Sequence, residues 1–187
     1  MPSFHTRRLP HYDSIDQPTF LTFRLAGTLP KGRDFSHATS GEAFVAMDRL
    51  LDDARTGPLH LQQPEIANVV VDAILYRNGR AYEPHNYVVM SNHVHLLITP
   101  RVPLPKLTQS LKRFTAREAN RILRLTGRPF WQDESYDRRV RNEQEFKRIA
   151  NYIEMNPVHA GLAASPEAFQ WSSAWPINNL PHNTVSK

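Results

Sequence analysis

The stretch Tyr87-Val88-Val89-Met90-Ser91-Asn92-His93-Val94-His95-Leu96-Leu97-Ile98-Thr99-Pro100 decides how the chain is read. It is rich in β-branched and apolar residues and closes on proline, which predicts a single β-strand. Strand side chains alternate between faces, so His93 and His95 share one face and Val94 takes the other. On this reading Val88, Met90, Asn92, Val94, Leu96 and Ile98 form a largely apolar face, and Ser91, His93, His95 and Thr99 make the opposite face polar in its middle. Two imidazoles about 7 Å apart along one strand face can reach a single metal ion, and neutral imidazole is the commonest side-chain metal ligand. Half-buried polar histidines in a sheet would give the same spacing.

Working outward, the flanks predict helices. Thr39-Ser40-Gly41-Glu42 fits a capping box, and the helix after it carries Phe44, Met47, Leu50 and Leu51 on one face before Gly57-Pro58. Pro64 suits a first helical turn, with Ile66, Val69, Val70, Ala73 and Ile74 as its buried face. Asn78-Gly79 is a turn signal. Upstream, Thr19 to Leu25 reads as a strand, and residues 1–18 as an irregular basic arm.

After the histidines, Leu107 to Leu125 has helical period: Leu107, Leu111, Phe114, Ile122 and Leu125 fall in one sector about 80° wide. Arg113, Arg117, Arg121 and Arg124 occupy the adjoining sector, with Lys112 beside them. Such a stripe can follow a phosphate backbone or be an ordinary solvated face. Phe130, Trp131, Arg138 and Arg139 lie in a connector dense in aromatics and arginines, suited to base stacking and phosphate contact or, for the two large rings, to plugging the core. Asn142 to Glu145 is a second capping box. The helix it opens buries Phe146, Ile149, Ala150 and Ile153 and is expected to stop at Pro157. Tyr152 and Asn156, four residues apart, stand on one flank of it.

The 187 residues suffice for one domain with a core. The net charge of +5 admits a polyanionic partner. With no cysteine, disulfide, thiolate–metal and thiol chemistry are excluded. No apolar run approaches the roughly 20 residues of a membrane span and no signal peptide is present, so a cytoplasmic protein is expected. Residues 176–187 read as a polar tail, and no linker or repeat divides the chain.

These residues combine into one chemistry. His93 and His95 supply two ligands for a hard divalent ion, and Asn156 can add an oxygen. A helix that brings Asn156 there brings Tyr152 too, and a phenol beside a metal-activated phosphodiester is a nucleophile that forms a phosphotyrosine. Tyr136 is the rival nucleophile, without comparable coupling to Asn156. The remaining histidines, including His60 and His85, form no second motif of the kind that histidine-x-histidine phosphoesterases need.

Val89-Met90-Ser91-Asn92-His93-Val94-His95-Leu96-Leu97 resembles the histidine-hydrophobic-histidine (HUH) motif of single-tyrosine transposases. Phe130-Trp131-Gln132, Asp137-Arg138, Tyr152-Ile153 and Asn156-Pro157-Val158-His159-Ala160-Gly161-Leu162 resemble that family's second signature. Arg24 to Pro30 and Trp171-Ser172-Ser173-Ala174 resemble flanking signatures of its REP-associated branch, the RAYT proteins. The resemblance runs from about residue 8 to 175, in order. It implies an α+β fold, a ferredoxin-like antiparallel sheet with helices packed on its faces. It implies cleavage and rejoining of single-stranded DNA beside a hairpin of the REP type, with Mg²⁺ or Mn²⁺, by a monomer or homodimer. By motif, Tyr152 is the nucleophile, and His93 and His95 are ligands. Asn156 holds a third-ligand position that is often glutamine in the family. Ser91 in place of proline and His159 in place of lysine are further departures. A hairpin-binding protein that has lost catalysis would use the same basic residues.

Overall fold

The computed structural model describes residues 4–7, 9–12, 15–29, 40–53 and 57–176, with backbone alone for residues 4–12 and 40–45. Strands β1 (Phe4–Arg7) and β2 (Leu9–Tyr12) pair antiparallel, where an irregular arm was expected. Then follow β3 (Thr19–Arg24), α1 (Ser40–Asp52), α2 (Pro64–Tyr76), β4 (Tyr82–Val89), β5 (His93–Pro100), α3 (Leu104–Leu123), β6 (Tyr136–Arg139) and α4 (Glu143–His159). The main sheet has the order β4-β5-β3-β6, antiparallel throughout. From β3 to β6 this is the α+β ferredoxin-like arrangement: two crossovers place α2 and α3 on one face, and α4 covers the other.

The quoted stretch is not one strand. It folds into a hairpin: Val89 stands opposite Val94, and the Met90 N–H donates to the His93 carbonyl at 2.9 Å across Ser91-Asn92. The turn resets the alternation. Val88 and Met90 therefore join the cluster under α4, while Val94, Leu96 and Ile98 join the one under α2 and α3. Ser91 and Asn92 are turn-favouring residues, but two polar residues between apolar runs mark a turn only weakly, and the shared face of His93 and His95 is the same in either reading.

The helices differ from expectation in similar ways. In α2, Ala67 and Val71 are buried and Val69 only half-buried. In α3 the buried line is Leu104, Leu107, Leu111, Thr115 and Ala119. Phe114, Ile122 and Leu125 are exposed. The seam is turned toward Trp131, whose Nε1–H donates to Thr115 Oγ1 at 2.9 Å. Phe114 lies instead under the guanidinium groups of Arg77 and Arg117, each 5.5 Å from its ring centre. Phe130 and Trp131 are core residues, 4% and 5% exposed. Helix α4 continues through Pro157 to His159. It ends in a Schellman turn: Leu162 N–H donates to the Pro157 carbonyl, Gly161 N–H to that of Val158, and Gly161 takes φ +69°. The Thr39 cap and residues 177–187 lie outside the described residues, as does the Phe44 side chain.

Candidate metal and nucleophile site

His93 and His95 emerge from β5 toward α4, with no exposed surface on either. Their Nε2 atoms are 3.0 Å apart. Two nitrogens at about 2.1 Å from one octahedral ion, at right angles, would be about 3.0 Å apart.

The partners on the far side of each ring orient them. The Asn92 Nδ2–H donates to the Leu51 carbonyl at 2.9 Å, which turns its Oδ1 toward His93 Nδ1 at 2.7 Å. Oδ1 only accepts, so His93 carries its proton on Nδ1 and presents a lone pair on Nε2. Thr22, opposite His95 in the β3–β5 register, sets its hydroxyl 2.7 Å from His95 Nδ1. Burial, then the neighbouring His95, pushes the His93 pKa down to about 3, so the ring is neutral at ordinary pH.

The third group comes from α1, which the sequence reading did not single out. Asp48 Oδ1 lies 3.2 Å from His95 Nε2 and 3.7 Å from His93 Nε2, and Asp52 Oδ1 lies 3.8 Å from His93 Nε2. Asp48, His93 and His95 form a buried group able to hold a metal ion. Burial raises the Asp48 carboxyl, but His95, His93 and Asn156 outweigh it and hold the pKa below the usual range. Asp52, with burial and Asp48 against it, is pushed up to about 7. The signal was present: Asp48 is four residues after Phe44 and three before Leu51, and Asp52 is four after Asp48, so the helical period puts them beside the apolar face already read.

Helix α4 supplies the rest. Its Asn142 cap accepts from Glu145 N–H at 2.8 Å, while the Glu145 carboxylate takes the Arg141 N–H and pairs with Arg138. Ile149 and Ile153 seat it on Phe20 and Leu97. Three residues on from each, Tyr152 and Asn156 face the histidines. The Tyr152 ring centre is 5.6 Å from that of His95, and Asn156 Nδ2 is 3.5 Å from His95 Nε2. Tyr136 packs on Phe20 at 6.3 Å within the apolar cluster. Asp48 Oδ1, Asp52 Oδ1 and Asn156 Oδ1 are all buried without a hydrogen bond. Imidazoles, carboxyl groups and a carboxamide oxygen suit a divalent cation, and orphaned oxygens beside the His93 Nε2 lone pair fit one there.

The basic residues are distributed differently. Arg113, Arg117, Arg121 and Arg124 are exposed on or just after α3, on the far side of the sheet from the histidines. Arg117 and Arg121 share Glu118 at 2.8 and 3.3 Å. Lys112 is turned inward onto the carbonyls of Gln132 and Asp133, and burial lowers its pKa to about 8. Arg138 is held by Glu145, and Arg139 is exposed.

The family model described as "Transposase IS200 like" matches residues 71–156, which include His93, His95, Tyr152 and Asn156. Over those residues, a little under half of the chain, the sequence is similar to the IS200-like transposases. No curated protein matches the chain at a significant level. Among solved structures, the chain shares its fold with one described as "Structure of the REP associates tyrosine transposase bound to a REP hairpin". The TM-score is 0.57 at 17% identity, over 89% of this chain and 82% of that one. No helix among the described residues is long and apolar enough to cross a membrane.

Proposed function

We propose that this protein cuts and rejoins single-stranded DNA beside a REP-like hairpin, with Tyr152 as nucleophile. His93, His95 and Asp48 would hold a divalent metal ion, Mg²⁺ or Mn²⁺, and Asn156 would add a carboxamide oxygen. The observation that carries this reading is the Tyr152 ring set against His95, one helical turn from Asn156, beside the paired Nε2 atoms and the orphaned Asp48 oxygen.

When bound, the ion would supply Lewis-acid polarisation of the phosphoryl group. The protein's own part is positioning. Asn92 and Thr22 hold the ring orientation of the two histidines, and α4 holds the phenol beside them. The Tyr152 oxygen forms a bond to phosphorus as the P–O3′ bond breaks; the phenol proton is lost to water and the departing 3′ oxygen gains one. The phosphotyrosine retains the energy of the broken ester, so attack by a 3′-hydroxyl restores the strand without ATP. Arg113, Arg117, Arg121, Arg124 and Arg139 are assigned to the phosphate backbone; the inward bonds of Lys112 and Arg138 leave both out of that surface.

The test is incubation with labelled hairpin DNA and Mn²⁺ or Mg²⁺, followed by denaturing electrophoresis. A covalent adduct is expected from the wild type and from Tyr136→Phe, and none from Tyr152→Phe, a loss of at least about 10³-fold. Adduct at wild-type level from Tyr152→Phe rejects the assignment. The complete burial of both imidazoles beside α1 favours a second reading, hairpin binding without cleavage. Tight binding with no adduct from the wild type would select it.

A further inference from the structure

Two sequence signatures have no part in the chemistry above: Ala160-Gly161-Leu162 and Trp171-Ser172-Ser173. The fold brings them together. The Schellman turn fixes Leu162 at the end of α4. Trp171 to Ser173 runs along the outer edge of β4, with Val89 N–H donating to the Trp171 carbonyl and Ser173 N–H to that of Tyr87, both at 2.9 Å. Between them lies a groove of two adjoining cavities of about 160 Å³ each.

The two cavities share Gln62, Met90, Ser91 and Leu162. One end is polar and reaches His93, Asn92 and Asp52, so the groove meets the buried metal-binding group. The other end is walled by Leu61, Val89, Phe169 and Trp171. Each volume is well below the roughly 300 Å³ of the smallest drug-sized sites, a scale that suits one phosphate or one planar base. The shared floor carries a hydroxyl and a carboxamide, joined by Gln62 Nε2–H donating to Ser91 Oγ at 3.2 Å. A serine hydroxyl that accepts one bond retains a donor and a further lone pair, enough to meet a base edge.

We infer that this groove is a nucleobase subsite. It takes the unpaired base of a nucleotide adjoining the scissile phosphate, the base between Leu162 and the Trp171 wall and its edge on Ser91 and Gln62. The inference rests on the reading of His93, His95 and Tyr152 as the cleavage site. It assigns the two unused signatures to substrate selection: Leu162 and Trp171 are specificity residues, and the base they hold sets where the strand is cut. Stacking of one base on an aromatic wall is worth about 1–3 kcal/mol, and tenfold in affinity corresponds to about 1.4 kcal/mol.

The experiment uses the full chain carrying Tyr152→Phe, which keeps the DNA uncut, with hairpin oligonucleotides bearing a single-stranded extension. A 2-aminopurine or an abasic nucleotide is walked through the extension in the presence of Mn²⁺. One position is expected to show quenched 2-aminopurine fluorescence, and an abasic nucleotide there to weaken binding about tenfold. Adding Leu162→Trp fills the apolar end; Leu162 is 41% exposed, so the fold tolerates the larger ring. That variant should lose both the quench and the abasic penalty, while it keeps its affinity for a hairpin without an extension. No quenched position, or a quench undiminished by Leu162→Trp, overturns the subsite. Quenching with no wild-type adduct would uphold the subsite and reject the cleavage reading; an adduct without any base signature would do the reverse.

Discussion

The two faces of β5 are equally buried and chemically opposite. Val94, Leu96 and Ile98 have no exposed surface, and neither do His93 and His95. On the face under α2 and α3, burial alone is favourable, because each apolar side chain leaves water with nothing left to satisfy. On the face under α1 and α4, burial costs free energy until every nitrogen and oxygen has a partner. Thr22, Asn92 and Leu51 supply some of those partners; Asp48, Asp52 and Asn156 are each left with an oxygen that has no hydrogen bond. A sheet can thus hold a hydrophobic core on one side and a buried group able to hold a cation on the other, with adjacent residues of one strand serving each.

That contrast can be broken from either side. Leu96→Ala on the apolar face should cost about 2–5 kcal/mol, by the same amount with and without metal. Urea denaturation with and without Mn²⁺ measures it, and a metal-dependent cost would mean that the two faces are coupled. On the polar face, Mn²⁺ at a hundred times its dissociation constant should stabilise the wild type by about 2.7 kcal/mol. The same scan on His93→Ala/His95→Ala should show no shift.

A smaller effect concerns Asp52. Its folded pKa, about 7, lies above the unfolded value of 3.8, so the folded state binds more protons between them. The stability this gives is full below about pH 4 and is lost as pH rises through about 7. Melting temperatures of metal-free protein from pH 4 to 8 should therefore fall less steeply in Asp52→Asn than in the wild type. An identical slope would place Asp52 outside the charged cluster. The smallest effect is on α3. Arg117→Ala and Arg121→Ala should change stability by less than about 0.5 kcal/mol, since their pairs with Glu118 are exposed. Each should lower the salt slope of hairpin binding by about one; an unchanged slope would return that face to solvent.

Local chemistry made much of this legible. Pro64 at a first turn, the Asn142 cap, Asn78-Gly79 and the alternation that pairs His93 with His95 depend on residues within a turn or two of one another. The spacing of Tyr152 and Asn156 belongs with them, because a helix carries both to one place whatever it docks against. Other features were less legible. The turn at Ser91-Asn92 is marked only by two polar residues between apolar runs, and the rotated seam of α3 follows from where Trp131 docks.

Sequence alone therefore determined which side chains could do chemistry and which neighbours each would carry with it, since periodicity is a property of the backbone. Only the tertiary structure brought α1 over the histidines with Asp48, turned Lys112 inward, and joined Leu162 to Trp171 in one groove. Those placements depend on docking between elements far apart in the chain, and docking is decided by the packing of whole faces, which no short stretch encodes.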